Sequence, residues 1–351
     1  MAEPLRILTA VPICDGHDSA ISTINLEFIR HGLEVVYLGY HRSARDIVRA
    51  AIQEGVRAIG ISSYNGGHIE FFSEVIALLK AHRASHIGVF GGGGGTITKA
   101  DAAKMQHQGV DRIFFAGTPL SELTAFVKER YGKRRHATLR RIAVDSMRGR
   151  AASAARVIGI TGPGGAGKTT LIDELVLRLL KARSEAQIAI ISHDPSIVGK
   201  GALLGDRATM IYSQDDRVFM RSLATRGRAG GLSSETARWL RAMKSGRFDL
   251  VFVETVGIGQ EALPFRRGLV DKSIFVTGPD YGSRLQLQKI AMLDAADIVV
   301  VNKGDLAGAA TAVSEIEQRL AVNRRGQRVV STVARRHRDP GVDRLFEEVS
   351  A

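Results

Sequence analysis

The glycine-rich segment GPGGAGKT, residues Gly162–Thr169, is the feature that most restricts how this chain can fold. A predicted apolar strand, Val157–Thr161, precedes it, and a predicted helix, Thr169–Leu180, follows it. A glycine loop between a strand and a helix directs backbone amides at phosphate groups. Lys168 would reach the terminal phosphates of a nucleoside triphosphate, and Thr169 would offer its hydroxyl to magnesium. The predicted nucleotide-binding residues of this segment are Gly162, Gly164, Gly165, Ala166, Gly167, Lys168, Thr169 and Thr170.

A second short segment, VNKGD at Val301–Asp305, indicates which base the nucleotide carries. Asp305 can accept hydrogen bonds from both donors on the edge of guanine, whereas adenine presents the wrong pattern. Asn302 and Lys303 would brace the loop and cover the ring. The segment follows the apolar stretch ADIVVV and lies downstream of the phosphate loop, so GTP or GDP is the predicted nucleotide.

Three carboxylates are candidates for holding magnesium and orienting the attacking water near the γ-phosphate. They are Asp194 in SHDPS, Asp206 in LLGDR and Glu254 at the end of the apolar strand VFVE. With Thr169 they form the predicted Mg²⁺ ligand set, and with Lys168 they form the predicted catalytic set. Taken singly, any of the three could instead be a solvated loop charge or a helix cap.

Apolar strands alternate with amphipathic helices from the N-terminus to about residue 130, and a second such pattern begins near residue 156. This alternation predicts parallel sheets covered by helices on both faces, so the expected fold class is α/β with two domains. Ligands of such sheets bind beyond the carboxyl ends of the strands. The strands predicted in the first half are Arg6–Val11, Glu34–Leu38, Ala58–Ser62, Ile87–Phe90 and Arg112–Phe115.

Three unusual segments follow strands of the first predicted sheet: DGHDSA, SSYNGGH and GGGGG. His17 could coordinate a metal through one ring nitrogen while Asp15 holds the other. Gly94 and Gly95 would let the tail of a planar metal macrocycle pass close to the backbone, and Ser62 could hydrogen-bond that tail. A lone histidine is more often an ordinary surface or core residue, and a glycine run can be only a flexible loop.

These residues resemble the D-x-H-x-x-G, S-x-L and G-G elements of the cobalamin-binding domains of acyl-CoA mutases. The resemblance implies a flavodoxin-like domain that binds adenosylcobalamin with its own benzimidazole displaced and with His17 as the lower ligand of cobalt. Two positions depart from the pattern, Ala20 at the end of DGHDSA and Tyr64 in SSYNGGH. Both departures resemble the fused isobutyryl-CoA mutases, in which DGHDAA and SYQGGH occupy the same places.

The second half resembles the G-protein chaperones of methylmalonyl-CoA mutase in its segments DPS, LGDR and ETVGIGQ. It is more similar still to the G domain of fused isobutyryl-CoA mutase, through GALLGDR, MRSLATRG and VDKSIFV. This implies a P-loop GTPase that assists a mutase. The span from Asp194 to Asp206 is one residue shorter than in that pattern, and we interpret its changed loop, Gly199–Gly201, as part of a switch.

The predicted domains are a cobalamin-binding domain at 1–131, a basic linker at 132–155 and a P-loop G-protein chaperone domain at 156–351. The stretch Lys128–Arg156 holds ten lysines and arginines against Glu129 and Asp145. Such charge could dock an acidic partner or nucleic acid. Because no interleaved aromatic pattern or nucleic-acid motif accompanies it, a solvated linker is favoured and no nucleic-acid partner is predicted.

The sequence also predicts a cytoplasmic protein without a membrane partner. It has no apolar run of membrane-spanning length, and its first residues lack the basic region of a signal peptide. A single cysteine, Cys14, fits a reducing compartment.

Rearrangement by an acyl-CoA mutase needs a large substrate barrel that shields the radical from water. Such a barrel does not fit into 351 residues already assigned to two α/β domains. The predicted function is a cobalamin-binding GTPase that serves as small subunit and G-protein chaperone of a separate acyl-CoA mutase large subunit, of the isobutyryl-CoA or methylmalonyl-CoA type. Isomerase activity would need that subunit, and a homo-oligomer is expected. The alternatives are a cobalamin-responsive signalling GTPase without a mutase partner, a GTPase with a vestigial first domain, and a fragment of a fused mutase.

Overall fold

The computed structural model describes residues 4–13, 19–64, 66–132, 155–196, 200–244, 248–257, 264–265, 268–281, 291–323 and 325–350. Their contacts divide the chain into two compact units, Met1–Ser146 with Ser196–Ala208, and Met147–Pro195 with Thr209–Ala351. The predicted cobalt ligand His17, its neighbour Asp15 and nearly all of the predicted linker 132–155 lie outside the described residues.

Strands and helices alternate from residue 6 to residue 132, as the sequence predicts. The strands are β1 (Arg6–Ala10), β2 (Glu34–Tyr37), β3 (Ala58–Ser62), β4 (Gly88–Gly92) and β5 (Arg112–Phe114). The helices are α1 (Ser19–Arg30), α2 (Ala44–Glu54), α3 (His68–Ala81), α4 (Lys99–Gln108) and α5 (Leu120–Gly132). Ser43 and Thr98 cap the starts of α2 and α4, and Gly55 and Gly109 end these helices in left-handed conformations.

The remaining described chain repeats the alternation. Its strands are β6 (Arg156–Thr161), β7 (Ile188–Asp194), β8 (Ala202–Leu204), β9 (Val218–Ala224), β10 (Leu250–Glu254), β11 (Lys272–Thr277), β12 (Ile298–Val301) and β13 (Arg328–Ser331). Its helices are α6 (Lys168–Ala182), α7 (Asp206–Thr209), α8 (Thr236–Lys244), α9 (Ala291–Ala295), α10 (Ala309–Asn323) and α11 (Pro340–Ser350). None of the helices in the described ranges combines the length and the apolar character that crossing a membrane requires.

The first unit is built on a parallel sheet in the order β5-β4-β3-β1-β2-β8. Aromatic rings fill one side of its core: Phe90 stacks on Tyr131 at 6.0 Å between centroids and meets Phe28 edge-on at 6.3 Å. Tyr131 and Phe28 are completely buried. The core therefore packs around β1, β3 and β4, whose carboxyl ends carry the predicted cofactor-binding segments.

Strand β8 belongs to the first unit, although its sequence lies inside the predicted domain 156–351. It pairs in parallel with β2 at the edge of the sheet. The loop just before this strand, Gly199–Gly201, is interpreted above as part of a switch, and that interpretation stays a prediction. A three-residue strand takes its stability from the sheet edge it joins, which local sequence does not specify.

The second unit is built on a parallel sheet in the order β13-β12-β11-β6-β10-β7-β9. Apolar side chains of the strands and of helices α6 and α11 bury each other completely, among them Ile158, Leu175, Phe252, Val300 and Leu345. The carboxyl ends of all seven strands lie at one edge because the strands are parallel. Two parallel α/β sheets confirm the predicted fold class.

Candidate nucleotide and cofactor sites

The phosphate loop leaves the carboxyl end of β6 and runs into the N-terminus of α6. Gly162, Gly165 and Gly167 have φ of +148°, +75° and +87°, conformations that residues with side chains rarely adopt. Lys168 is buried, and its Nζ donates to the carbonyl oxygens of Gly162 (3.0 Å) and Pro163 (3.1 Å). The ammonium group is thus held against the loop whose amides would bind phosphates.

Asn302 joins the guanine-recognition segment to the phosphate loop. Its Nδ2 donates to the carbonyl oxygen of Ala166 at 2.9 Å. Its Oδ1 accepts from Thr332 Oγ1 at 3.1 Å and from the amide of Ala334 at 3.0 Å. A Cβ atom at Gly167 would collide with the Asn302 amide, so this close approach requires glycine. One buried side chain therefore sets the distance between the phosphate site and the base site.

A cavity of about 300 Å³ lies beside Asn302, where a base would bind. Asp305 faces this cavity and forms an ion pair with Arg335, whose side chain is largely exposed. The carboxylate is placed to accept from the guanine edge once Arg335 turns toward solvent. The residues lining the cavity are Gly167, Thr170, Asn302, Lys303, Asp305, Leu306, Val333, Ala334 and Arg335.

Sequence reasoning missed the segment after β13, Thr332–Arg335, which supplies one wall of the base cavity and two of the bonds to Asn302. A signal was present in the sequence: the segment follows an apolar strand of the same predicted sheet. Since parallel strands end at one edge, each strand-end segment is a candidate for ligand contact.

Two of the predicted magnesium ligands are in direct contact. Thr169 Oγ1 donates to Oε1 of Glu254 at 2.7 Å. Glu254 ends β10 and Asp194 ends β7, and these strands pair with Ile191 opposite Val253. Both carboxylates are buried at the sheet edge that carries the phosphate loop. This set of a hydroxyl and two carboxylates suits a hard cation such as Mg²⁺.

Asp206 is the first residue of α7, and it belongs to the first unit. Lys168, Thr169, Asp194 and Glu254 all belong to the second unit. The predicted role of Asp206 as a magnesium ligand stays a prediction.

His193 is a further buried residue, bonded to Glu254, that the sequence analysis did not single out. Its Nδ1 donates to the backbone carbonyl of Glu254 at 2.7 Å, because a carbonyl can only accept, and its Nε2 lies 2.7 Å from Thr236 Oγ1. Burial lowers the pKa of His193 to about 4, so the ring is neutral at pH 7. The residue connects the ends of β7 and β10 with the start of α8.

The first unit contains a cavity of about 220 Å³ at the carboxyl ends of β1, β3 and β4. Thr9, Ser62, Tyr64 and the segment Gly91–Gly94 line it, together with apolar side chains of α1 and β5. The volume is below that of ordinary drug-sized ligand sites. The cavity's size and mostly apolar lining suit an aromatic group such as the benzimidazole tail of a cobalamin.

The lining of this cavity fits such a tail. A Cβ atom at Gly94, which has φ of +43°, would collide with the Tyr64 ring, so glycine keeps the wall thin. The Thr9 hydroxyl is buried and has no hydrogen-bond partner among the described residues, so it can bond a polar atom of the tail. Ser62 is buried and lines the same cavity, and a Cβ atom at Gly95 would meet open space.

Two family models match the chain. The model of the methylmalonyl Co-A mutase-associated GTPase family matches residues 120–351. The model of the B12 binding domain matches residues 5–124.

Among curated proteins, the chain is 38% identical to the fused isobutyryl-CoA mutase of Cupriavidus metallidurans over 99% of this chain and 35% of that protein. It is 35% identical to the fused isobutyryl-CoA mutase of Geobacillus kaustophilus over 97% of this chain and 36% of that protein. The chain thus spans about a third of the length of these relatives. A solved structure of LAO/AO transport system kinase matches with 23% identity and a TM-score of 0.42, covering 65% of this chain and 68% of that one.

Proposed function

This chain belongs to the methylmalonyl Co-A mutase-associated GTPase family and carries a B12 binding domain, and on that premise we propose that it is a GTPase that supplies adenosylcobalamin to an acyl-CoA mutase. The mutase large subunit would be a separate chain, of the isobutyryl-CoA or methylmalonyl-CoA type. The observation that carries the proposal is the presence, in one chain, of a phosphate loop braced by Asn302 and a glycine-walled cavity at Gly91–Gly94.

Several polar side chains would each have a separate role in binding GTP. Lys168 would exchange its bonds to two loop carbonyls for the terminal phosphates of the nucleotide. Asp305 would read the guanine edge, with Asn302 holding that segment in register. Thr169, Asp194, Asp206 and Glu254 are the proposed ligands of magnesium.

Hydrolysis needs a water molecule in line with the γ-phosphate and charge compensation around it. Mg²⁺ held by Thr169 and the nearby carboxylates would supply part of that charge compensation. Glu254 would orient the attacking water, since it lies at the end of β10 in contact with Thr169. His193 would keep that carboxylate and Asp194 in register through its bond to the Glu254 carbonyl.

For the corrinoid, Ser62, Gly94 and Gly95 would hold the nucleotide tail, and His17, oriented by Asp15, would be the lower ligand of cobalt. The cofactor would supply a cobalt–carbon bond that breaks homolytically in the partner mutase. We place the assembly in the cytoplasm and expect it to be a homo-oligomer.

A reconstitution experiment tests the proposal. The purified chain is titrated with adenosylcobalamin beside a His17→Ala variant while the visible absorption spectrum is recorded. We expect a base-off, histidine-on spectrum that the variant lacks. The loaded protein is then mixed with a mutase large subunit and GTP, and acyl-CoA isomerisation is measured. Corrinoid binding and GTP hydrolysis without association with any mutase would favour the signalling alternative, and absence of corrinoid binding would leave only a GTPase.

A further inference from the structure

The segment that follows β13, Thr332–Arg335, is fixed along its backbone to the guanine-recognition segment. The amide of Gly304 donates to the carbonyl oxygen of Thr332 at 2.9 Å. The amide of Ala334 donates to Asn302 Oδ1 at 3.0 Å. These bonds hold the main chain of the segment against the base cavity, which the segment helps to line.

Arg335 is the last residue of this segment, and its side chain is 73% exposed. The three residues before it, 332–334, are buried. Behind it, the amide of Arg336 donates to the carbonyl oxygen of Val333 at 2.8 Å and closes a turn. Because the backbone is fixed on both sides, the Arg335 side chain can move between the base cavity and solvent while its own main chain stays in place.

Asp305 binds the Arg335 guanidinium in an ion pair. The Asp305 side chain is only 11% exposed, and both residues line the base cavity. The guanidinium donates to Oδ2, one of the two oxygens that would accept from the guanine edge. A guanine that bonds both oxygens of Asp305 must therefore take the place of Arg335 at Oδ2.

Guanine and arginine present the same kind of donor group to a carboxylate. The edge of guanine that carries N1–H and the exocyclic amino group is itself a guanidine unit, and arginine offers parallel N–H donors of the same geometry. The bond that Arg335 makes to Asp305 therefore has the same chemistry as a bond that guanine would make. Hypoxanthine lacks the exocyclic amino group, so it offers one donor where guanine offers two.

We propose that Arg335 is a specificity-determining residue that competes with guanine for Asp305 and so lowers the affinity of the site for GDP and GTP. The inference rests on the proposed function, because it takes a guanine nucleotide as the ligand of this cavity. Breaking an exposed ion pair reduces the apparent affinity by up to about fivefold. Guanine needs both oxygens of Asp305 and hypoxanthine needs one, so the competition costs guanine more. Arg335 therefore narrows the preference for guanine over hypoxanthine.

Simple charge attraction between Arg335 and the nucleotide predicts a change of the opposite sign. The phosphates of a nucleotide are negatively charged, and a positive side chain near the site attracts them. Replacing Arg335 with a neutral residue would then weaken nucleotide binding, whereas removing a competitor strengthens it. The direction of the change in affinity therefore separates the two roles.

The test compares the full chain with its Arg335→Gln and Arg336→Gln variants. Arg336→Gln is the matched control, because it removes the same charge from the neighbouring exposed arginine, which is not among the described residues that line the cavity. Dissociation constants for GDP and for inosine diphosphate, whose base is hypoxanthine, are measured by competition with a fluorescent GDP analogue.

We expect Arg335→Gln to bind GDP about threefold to fivefold more tightly than the unmodified chain and to gain less for inosine diphosphate. The control should leave both dissociation constants unchanged. Unchanged or weaker GDP binding by Arg335→Gln would overturn the inference and leave the proposed function standing. So would an equal gain for the two nucleotides. Failure of the unmodified chain to bind GDP at all would overturn the proposed GTPase function and the inference with it.

A second comparison establishes whether Arg335 acts through Asp305. Arg335→Gln is introduced into the Asp305→Asn variant, which has no carboxylate to compete for, and the GDP dissociation constants of the single and double variants are compared. We expect a ratio of about one, because the interaction between two residues disappears when either is replaced. A gain of about threefold that persists in this background would show that Arg335 acts elsewhere and would overturn the inference.

Discussion

Thr169 Oγ1 donates a 2.7 Å hydrogen bond to Oε1 of Glu254. This bond joins the first turn of α6 to the end of β10. The residue after the phosphate loop and the acidic strand end are therefore already held together. A metal ion bound here would replace only the hydrogen bond between this hydroxyl and this carboxylate. Preorganisation of this kind lowers the reorganisation that catalysis would otherwise require.

The first prediction concerns Glu254. The substitution Glu254→Gln keeps an oxygen that can accept from Thr169 but removes the charge. We expect the GTP hydrolysis rate to fall about 100-fold, the usual effect of removing one group that stabilises the transition state. GDP affinity should be largely kept. Glu317→Gln, on the exposed face of α10, is the control. An unchanged hydrolysis rate in Glu254→Gln would exclude Glu254 from catalysis.

The second prediction concerns base recognition by Asp305. Asparagine offers one acceptor and one donor, so Asp305→Asn would face the guanine amino group with a second donor. Loss of about 3 kcal/mol of charge-assisted bonding corresponds to about 100-fold weaker GTP binding. Xanthosine triphosphate has a carbonyl in place of that amino group and should bind the variant better than GTP. Nucleotide affinities measured by competition test this, and an unchanged order of GTP over xanthosine triphosphate contradicts it.

The third prediction concerns the pH dependence of stability. The pKa of His193 is about 4 in the folded chain against 6.5 for an ordinary histidine, because burial disfavours the charged ring. The folded-state pKa is lowered, so the unfolded chain binds the extra proton as the pH falls below 6.5. This difference should remove up to about 3 kcal/mol of stability between pH 6.5 and pH 4.

Urea unfolding at pH 7.5, 6.0 and 5.0 measures this effect, with His193→Gln as the comparison. Glutamine does not titrate, so the difference between the two proteins isolates His193 from other groups. Asp173 acts in the opposite direction, because burial raises its pKa to about 6 and its destabilising charge disappears as the pH falls below that value. Parallel pH profiles of the two proteins would show that His193 does not titrate on unfolding.

The fourth prediction concerns the cofactor cavity. Thr9→Val keeps the shape of the side chain and removes a buried hydroxyl that has no partner among the described residues. The cofactor-free protein should become more stable by about 1 kcal/mol, since the unsatisfied Thr9 hydroxyl is removed. Cobalamin should bind more weakly, because the tail loses a hydrogen bond. Thermal unfolding and absorption titration measure the two effects, and tighter cobalamin binding would contradict the assignment of Thr9.

The fifth prediction concerns the glycine wall. Gly94→Ala would strain a left-handed residue and push a methyl group into the Tyr64 ring. We expect cobalamin affinity to fall while GTP hydrolysis in the second unit is unchanged. Gly132→Ala is the control, since a Cβ atom there meets nothing within 4 Å. Equal cobalamin affinity in both variants would remove Gly94–Gly95 from the site.

Much of the fold could be predicted from the sequence because its signals are local. Each of β1 to β5 was predicted at nearly its observed position, since apolar runs alternate there with capped helices. The phosphate-loop and VNKGD motifs could be predicted because each is a short run of residues with a fixed spacing. The roles of Asp15 and His17 remain predictions, because these residues lie outside the described part of the chain.

Two parallel α/β units, a guanine-nucleotide motif and a cobalamin motif can be predicted from the sequence, because each depends on residues close together in the chain. The folded structure adds that β8 pairs at the edge of the first sheet, that His193 connects Glu254 with Thr236, and that Thr332–Arg335 contributes to the cavity beside Asn302. Arg207 reaches a carboxylate 153 positions away. Such pairings join residues that are far apart in sequence. They form because a sheet edge and a buried charge each need a partner in the folded chain, and no local pattern of residues encodes which partner that is.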